Sequence, residues 1–405
     1  MKPEPGTRLK VGPRQLYYLC RRMNKVLWTL YLLRILVPQR FGLKVQYDGT
    51  LSNNGHGVLE EKLSPRSNLE DYNHKKYHPI EEIYKWMIQI EKRYSGVVTQ
   101  HFLGMAYEAR LMYYLKVSER AATCRKIIWI DCGVHARDII SPKSSRCFYL
   151  FICRFYKTDR RIIRFLRKLD DFCILPVLSI DGYVYSWRAN RLWRKSRASH
   201  NNGTCFGTDL NRNFNSSWCE CKASKNCKHM TFCGTGPFSV PETKAISSLI
   251  KGRKDSILCY LSIHSYGQLI LIPYGYTKKR PRNYAELIRI GQKAAKELKA
   301  KHGSNYKVGS TSEILYFLFG SSRDWAYDMG IPFAYMFELR DNGTYKFALP
   351  ENQIQPTCEE TTAAVLAMLD EIFKKEWGSD KAVMLSPTTV GLVGLSVFLS
   401  FILFF

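Results

Sequence analysis

Short runs of almost uniformly apolar residues recur along this chain, and they constrain its fold more than any other feature. The clearest are 126–131 (KIIWID), 172–180 (FCILPVLSI), 257–263 (ILCYLSI) and 333–339 (FAYMFEL). Apolar and polar residues do not alternate within them, so both faces of each strand must be covered. Buried strands of this kind belong to sheets that lie between helices, which predicts an α/β protein.

Amphipathic segments separate these runs. Apolar residues recur at helical spacing, or charged residues share one face, in four segments, which are 79–91, 160–169, 283–301 and 361–377. Alternation of strands and helices predicts a single α/β domain with a twisted mixed, largely parallel sheet flanked by helices. We divide the chain into a basic leader, a short polar pre-segment, the α/β domain and a C-terminal signal, at 1–45, 46–75, 76–377 and 378–405.

The positive charge of the chain does not by itself identify a partner. The chain has 61 Lys and Arg against 35 Asp and Glu, a formal net charge of +26. The basic residues are spread along the sequence, without a finger, basic zipper or single-strand-binding signature, which argues against nucleic acid. Attraction to acidic substrates, attraction to anionic membranes and simple solubility all stay open.

Thirteen cysteines indicate an oxidising compartment. Four of them lie within 219–233, but no second spaced pair follows, as a zinc ribbon would require. We therefore expect disulfides that staple a long loop, and the odd number of cysteines leaves at least one thiol without a partner in the chain.

The N-terminal leader resembles an export signal. Residues 1–45 contain ten Lys or Arg and one acid, together with an apolar run at 26–37. A basic start followed by an apolar run is typical of a signal peptide, although Arg34 interrupts the run and Met23 offers a second start. Sequons for N-glycosylation, which belong to exported proteins, begin at Asn202, Asn215 and Asn342.

The C-terminus is typical of a lipid-anchor signal. Residues 390–405 are sixteen residues without a charged group, and small or polar residues at 378–380 precede them across a spacer. This order predicts replacement of the tail by a glycolipid (GPI) anchor and a location on the extracellular face of the plasma membrane. The alternative is a short transmembrane helix, which would need roughly 20 apolar residues and so part of the spacer.

Polar side chains follow three of the apolar runs. His135 comes after the first, His264 after the third, and Glu338 ends the fourth. The carboxyl ends of strands build the sites of open α/β sheets, so we expect these side chains to meet. His135 and Asp138 are three residues apart and can chelate one ion from a single turn, with His264 as third ligand. A lone histidine after a strand is more often structural, so it is the joint pattern that favours a zinc hydrolase.

Longer motifs reinforce this interpretation. Over about residues 77–377, seven motifs in order resemble the zinc metallocarboxypeptidase family of the pancreatic carboxypeptidases A and B. They are HARD at 135–138, NRLWRKSR at 190–197, GTDLNRNF at 207–214, GTGPFSVPETKA at 234–245, SIHSYGQLILIPYGY at 262–276, GSSRDWAYDMGIP at 320–332 and FELRDNGTY at 337–345. The resemblance implies an exopeptidase that acts on peptide C-termini with one Zn²⁺ per chain, and we expect a monomer.

The resemblance also implies roles for individual residues. His135, Asp138 and His264 would hold zinc, with Glu338 as general base and Arg194 stabilising the oxyanion. The remaining assignments are Asn211, Arg212 and Tyr316 for the terminal carboxylate of the substrate, and Arg137 and Tyr266 for the neighbouring subsites. Family analogy further pairs Cys205 with Cys227 and Cys219 with Cys233.

Arg323 is the most informative position for specificity. It lies seven residues after Tyr316, where the family places the floor of the pocket for the terminal side chain. An arginine in a closed pocket would be an unpaired buried charge unless the substrate supplied a carboxylate, so we expect a preference for C-terminal Glu or Asp. The alternative is an exposed arginine that pairs with Asp324 on the surface.

Some positions depart from the family pattern. Asp138 stands where the family has glutamate, and Ile139 replaces the usual tryptophan beside it. The aspartate is one methylene shorter, so either the backbone moves or zinc binds less tightly. An alternative function is therefore a catalytically weak or inactive carboxypeptidase-like binding protein. A third possibility, a membrane-tethered interaction protein, rests on the basic charge alone.

Overall fold

The computed structural model describes residues 72–119, 126–220 and 223–378, all within one compact unit. Most of the leader and pre-segment, and the C-terminal tail, lie outside these ranges. An eight-stranded mixed sheet forms the centre of the described unit, in the order β1-β2-β4-β3-β7-β10-β8-β9. A separate two-stranded ribbon pairs β5 with β6. The strands are β1 (Val98–Met105), β2 (Leu111–Val117), β3 (Ile127–Cys132), β4 (Asp171–Leu175), β5 (Ser199–His200), β6 (Cys205–Phe206), β7 (Ile257–Ser265), β8 (Leu269–Ile272), β9 (Lys307–Ser310) and β10 (Phe333–Leu339).

Nine α-helices accompany the strands within the described ranges. They are α1 (Ile80–Arg93), α2 (Ile140–Phe155), α3 (Arg160–Lys168), α4 (Ile180–Arg188), α5 (Pro241–Arg253), α6 (Tyr284–His302), α7 (Thr311–Ile314), α8 (Ser322–Asp328) and α9 (Ile354–Trp377). Local sequence explains several ends. Asp159 caps α3 by accepting from two backbone N–H groups, and Gly303 ends α6 with a left-handed φ of 76°. None of the helices in the described part of the chain is long and apolar enough to cross a membrane.

The centre of the sheet is buried on both faces, as the uniformly apolar runs predict. Every residue of β3, β4 and β7 is buried. These strands run parallel to one another, β10 runs parallel to β7, and β9 runs parallel to β8. The pairs β1 with β2, β2 with β4 and β8 with β10 are antiparallel. The prediction of a mixed sheet flanked by helices is confirmed, and the carboxyl ends of β3, β7 and β10 lie together at one edge.

Two predicted elements differ from the structure. The run at 172–180 is not one strand: β4 ends at Leu175, Pro176 follows it, and Ile180 already begins α4. Proline has no N–H for the ladder, which explains the early end. The last helix begins at Ile354, seven residues before the expected start at Thr361. Pro356 in its first turn is compatible with a helix there, because the N–H groups of that turn have no intrahelical partner.

Three disulfides hold the described chain together. Cys205–Cys227 and Cys219–Cys233 staple the long segment between α4 and α5, as the family analogy implied. Cys147–Cys358 was not anticipated; it joins α2 to α9 across a sequence separation of 211. The four unpaired cysteines of the described ranges, at 132, 153, 173 and 259, are all buried.

Candidate active site

Three neighbouring strands bring the predicted site residues together. Glu338 on β10 lies directly beside His264 on β7 in the parallel register. On the other side of β7, Cys132 ends β3 opposite Ile263, and His135 follows three residues later in the turn before α2. The sequence prediction that strand ends would place these side chains close together is therefore met by the register of the sheet.

The three expected zinc ligands converge in a buried group. Nδ1 of His135 lies 3.2 Å from Oδ2 of Asp138 and 3.2 Å from Nδ1 of His264. Nδ1 of His264 lies 3.6 Å from the same Asp138 oxygen. A tetrahedral zinc with ligands at about 2.0–2.2 Å sets those ligands roughly 3.3–3.6 Å apart. The donor set therefore fits a zinc ion, and the shorter Asp138 side chain still reaches the group.

The hydrogen-bond partners of His264 fix which of its ring nitrogens is free. The Ser262 hydroxyl donates to Oδ1 of Asp131 at 2.7 Å, so it accepts from Nε2 of His264 at 2.9 Å. With the ring proton on Nε2, Nδ1 presents a lone pair to the site. All three residues are fully buried. This relay from a carboxylate through a hydroxyl to a ligating imidazole was not predicted from sequence.

His135 is oriented in a comparable way. Its Nε2 lies 3.2 Å from Oδ1 of Asp209, close to an acceptor though outside hydrogen-bond geometry, and this contact favours the tautomer with the proton on Nε2 and a lone pair on Nδ1. Two imidazole lone pairs and a carboxylate oxygen then face one another without a proton between them. Such a group is repulsive unless a cation lies within it, and this is the strongest structural support for a metal site.

Asp209 links the metal ligands to the cationic side of the site. Besides facing His135, its carboxylate accepts from Nε of Arg194 at 2.9 Å and from the backbone N–H of Asn211 at 3.0 Å, and Nη2 of Arg194 lies within ion-pair distance at 2.8 Å. Arg212 Nη1 lies 3.9 Å away. Burial opposes ionisation, but Arg194, Arg212 and His135 hold the pKa of Asp209 well below its ordinary value. The motif at 207–214 contains Asp209, but its sequence alone does not indicate this role.

Glu338 is the carboxyl group that β10 places beside His264. Burial, and after it the charge of Asp138, raise its pKa to about 8, while His135, Arg194 and Arg212 act in the opposite direction. A raised carboxyl pKa next to a metal site is typical of a general acid or base. The position of Glu338 beside His264 is compatible with the general base that the family resemblance implies.

Asn211, Arg212 and Tyr316 lie around the cationic side of the site. The Asn211 side-chain oxygen accepts from the backbone N–H of Ser322, and the Arg212 guanidinium donates to the Asn211 carbonyl, so both are held rigidly. Gly320 packs so closely that a Cβ there would lie 2.3 Å from the Arg212 carbonyl oxygen. Tyr316 is 46% exposed and near enough to raise the pKa of Arg194.

Arg137 and Tyr266 both contact Phe347. The Arg137 guanidinium lies 3.8 Å from the centroid of the Phe347 ring, and the Tyr266 ring packs edge-on against it at 4.9 Å. Burial and the charge of Arg194 lower the pKa of Arg137. Phe347 follows a loop whose shape Asp341 fixes by accepting from three backbone N–H groups. Neither Phe347 nor Asp341 was singled out from sequence.

Arg323 is buried, but it is not unpaired. It is 0% exposed, and its Nε donates to Oδ1 of Asp324 at 2.8 Å. Its Nη2 donates to the same oxygen and its Nη1 to Thr311 Oγ1. The expectation of an unpaired guanidinium is wrong because the next residue turns its carboxylate onto it. The alternative, an exposed pair with Asp324, is wrong because Arg323 is buried, but it names the correct partner.

Comparisons with known proteins agree with this geometry. A family model described as "Zinc carboxypeptidase" matches residues 83–364. The chain is 57% identical to carboxypeptidase O of Bos taurus over 378 residues, which cover 93% of this chain and all of that protein. It is 41% identical to carboxypeptidase B of Homo sapiens over 80% of this chain and 76% of that protein. The structure of bovine thrombin-activatable fibrinolysis inhibitor in complex with tick carboxypeptidase inhibitor matches with a TM-score of 0.69 and 39% identity, covering 75% of this chain and 99% of that chain.

Proposed function

The chain belongs to the zinc carboxypeptidase family and is a metallocarboxypeptidase, and from this premise we propose that it releases acidic residues, Glu or Asp, from peptide C-termini. The observation that carries the proposal is the buried guanidinium of Arg323, which stands where the family places the floor of the terminal side-chain pocket. The substrate is a peptide C-terminus, because the family hydrolyses the last peptide bond.

The family implies a zinc ion, and His135, Asp138 and His264 would hold it. A zinc ion in such a site polarises the scissile carbonyl and lowers the pKa of a bound water. The protein contributes the orientation of the ligands. Asp209 and Ser262 contact the outer nitrogens of the two histidines, and such outer partners fix the ring and its tautomer.

Two further residues would transfer the proton and stabilise the oxyanion. Glu338 would take the proton from the attacking water and deliver it to the leaving amine, for which a raised pKa is suited. Arg194 turns Nε and Nη2 towards Asp209, with Nε donating and Nη2 at ion-pair distance, so Nη1 would donate to the developing oxyanion. Asp209 thereby orients a cation and a metal ligand at the same time.

Exopeptidase action requires a grip on the terminal α-carboxylate. Asn211, Arg212 and Tyr316 are the candidates, and the first two are 2% and 4% exposed. A guanidinium binds a carboxylate with charge-assisted, often paired hydrogen bonds, which a chain interior cannot offer. Tyr316 is half exposed and can contact the substrate from the mouth of the site.

Arg323 retains donors for the substrate side chain. A guanidinium has five N–H groups, and three of them donate to Asp324 and Thr311, which leaves two. A Glu or Asp carboxylate could accept those two, whereas an apolar side chain would leave them without a partner. Since Asp324 already compensates part of the charge, discrimination should be smaller than for a free guanidinium.

The test is the double substitution Arg323→Ile with Asp324→Asn, which removes the cation without leaving a buried carboxylate unpaired. A charge-assisted hydrogen bond is worth about 1.5–3 kcal/mol, so the kcat/KM ratio for Glu- over Leu-terminated peptides should fall roughly 10–100-fold. Asp324→Asn alone is the matched control and should keep the preference for Glu. An unchanged ratio in the double variant would place Arg323 outside the pocket, while leaving the metallocarboxypeptidase assignment intact.

We also propose that the protein acts at the extracellular face of the plasma membrane, held by a glycolipid after loss of the apolar tail. The composition of 390–405 and the small residues before it support this proposal. The asparagines of all three sequons are exposed, which is compatible with glycosylation on an exported protein. A phospholipase specific for such anchors should release the protein from cells. Retention on the membrane after that treatment would favour a transmembrane helix instead.

A further inference from the structure

Two cations on α2 are buried away from the catalytic centre. Lys143 is 0% exposed and Arg146 is 2% exposed. They are three residues apart on one helix, so their side chains leave the same face with Cβ atoms about 5–6 Å apart. Both lie over the ring of Tyr72, with Lys143 Nζ at 5.2 Å and Arg146 Cζ at 5.9 Å from its centroid.

The polar atoms around this ring are donors without acceptors. Within the described ranges, Nε and Nη1 of Arg146, Oη of Tyr72 and Nε1 of Trp86 are buried and make no hydrogen bond. The rings of Tyr72 and Trp86 lie 6.1 Å apart, so these atoms belong to one neighbourhood. Lys143 Nζ makes one long contact, 3.4 Å to the carbonyl of Asn73.

The acidic groups that face these cations are engaged elsewhere. Glu82 pairs with Lys85 at 3.0 Å, and Glu351 accepts the backbone N–H of Tyr77 at 3.2 Å. The other titratable groups that face the cluster are neutral or cationic, namely His74, His78, Arg154 and Tyr183. Glu351 acts on Lys143 only from beyond ion-pair distance, and within the described ranges neither Lys143 nor Arg146 forms an ion pair. Burial and the charge of Arg146 lower the pKa of Lys143 to about 6, so both groups are fully charged only when an anion lies beside them.

We propose that Lys143, Arg146, Tyr72 and Trp86, the Tyr72 cluster, form a binding site for a small inorganic anion of the size and charge of chloride. Every unpartnered atom in the cluster can donate a hydrogen bond, so the missing group is an acceptor. The two cations supply the charge that makes this acceptor an anion rather than water. Their near-complete burial favours a monatomic ion over a phosphate or an organic acid.

The position of the Tyr72 cluster gives the anion a structural effect. Lys143 and Arg146 lie in the first two turns of α2, directly after the loop that carries His135 and Asp138. An anion between them and Tyr72 would fasten the segment at 72–78 onto α2. The site is separate from the substrate cleft, so the inference does not depend on the acidic specificity proposed above.

The test is thermal unfolding of the zinc-loaded protein in sodium chloride and in sodium gluconate at equal ionic strength. Chloride should raise the Tm of the wild type saturably, by about 2–4 °C. Lys143→Ala and Arg146→Gln should each abolish this rise, and Arg146→Gln should raise the Tm in gluconate, because it removes an uncompensated buried charge. Arg167→Gln, an exposed arginine on α3, is the control and should keep the chloride response.

Two results would overturn the proposal. The first is a wild-type Tm that is the same in chloride and in gluconate, together with a lower Tm in the double variant Glu70→Gln with Asp71→Asn. A carboxylate of the chain itself would then fill the Tyr72 cluster. The other is a chloride response that survives in folded Lys143→Ala and Arg146→Gln, since chloride would then act elsewhere, for example at the metal.

Discussion

At the residue scale, the site accommodates Asp138, whose side chain is one methylene shorter than the glutamate of the family. Its carboxylate oxygen lies 3.2 and 3.6 Å from the two ligating nitrogens, which is the spacing of a tetrahedral zinc site. The shortened side chain is therefore compatible with metal binding, and the alternative of a catalytically weak or inactive protein stays an untested prediction.

Removal of the Asp138 carboxylate should lower the zinc affinity more than a change in the length of the side chain. Asp138→Ala deletes one of three ligands, and its loss in zinc affinity should exceed the roughly 10–100-fold typical of an outer partner. Asp138→Glu should bind at least as tightly as the wild type. Zinc affinity is measured by competition with a chelator. Equal affinities for wild type and Asp138→Ala would show that Asp138 is not a ligand.

The relay from Asp131 through Ser262 to His264 should affect the zinc affinity without contacting the metal itself. Ser262→Ala removes the acceptor of the Nε2 proton, so His264 can take the other tautomer and lose its lone pair at Nδ1. We expect a loss of about 10–100-fold in zinc affinity, measured in the same competition. Ser247→Ala removes a buried hydroxyl that bonds within α5 and is the matched control. A similar loss in both variants would contradict the relay.

At the scale of elements, the start of α5 contains a buried carboxyl. Glu242 is fully buried, with one oxygen 3.5 Å from the Tyr107 N–H. Burial is the main cause that raises its pKa to about 7 from an ordinary 4.5, and the nearby Asp181 carboxylate adds to it. The folded protein thus keeps this proton at a pH where the unfolded chain has lost it. Stability should fall as the pH rises from about 4.5 to 7, and the penalty should be complete above 7.

Glu242→Gln should remove that penalty. At pH 8 the variant should exceed the wild type by up to roughly 3 kcal/mol in free energy of unfolding, and near pH 5 the two should differ little. Urea denaturation at both pH values measures this difference. Glu81→Gln on the exposed face of α1 is the control and should show no such pH dependence. A Glu242→Gln effect of equal size at both pH values would exclude titration as its cause.

Individual elements differ in how far the sequence predicts them. The strand at 333–339 has the predicted bounds because a uniformly apolar run of seven residues is too short for a buried helix and fits a covered strand. The helix α2 was not predicted. Its first turns, Ser-Pro-Lys-Ser-Ser-Arg, are polar in sequence and yet buried in the fold, so their pattern gives no amphipathic signal. Tertiary contacts, not local preference, decide that segment.

The same distinction holds for the site. His135, His264 and Glu338 could be placed from sequence, because strand ends of a parallel sheet meet at one edge. Asp131 and Asp209 could not, because their roles depend on partners that the fold brings together from distant parts of the chain. The pairing of Arg323 with Asp324 was open in the sequence, since two neighbours in a chain can point either together or apart.

At the scale of the whole molecule, the groups proposed for catalysis and for specificity lie on different elements. The sheet edge carries the candidate metal ligands and the proposed base, whereas the disulfide-stapled segment between α4 and α5 carries Asp209, Asn211 and Arg212. The proposed specificity residue, Arg323, lies on α8. Changes in the pocket can therefore alter the substrate without altering the zinc site.

The most direct test of the proposed acidic specificity is the kcat/KM of the zinc-loaded protein on matched peptides that differ only in the last residue. Peptides ending in Glu, Leu and Lys, with a C-terminally amidated Glu peptide as control, report on both the side chain and the free carboxylate. We expect the Glu peptide to be cleaved most efficiently, the Leu and Lys peptides to have kcat/KM values at least about tenfold lower, and the amide not to be cleaved. Equal or faster release of Leu or Lys would contradict the assignment of Arg323 as the specificity residue.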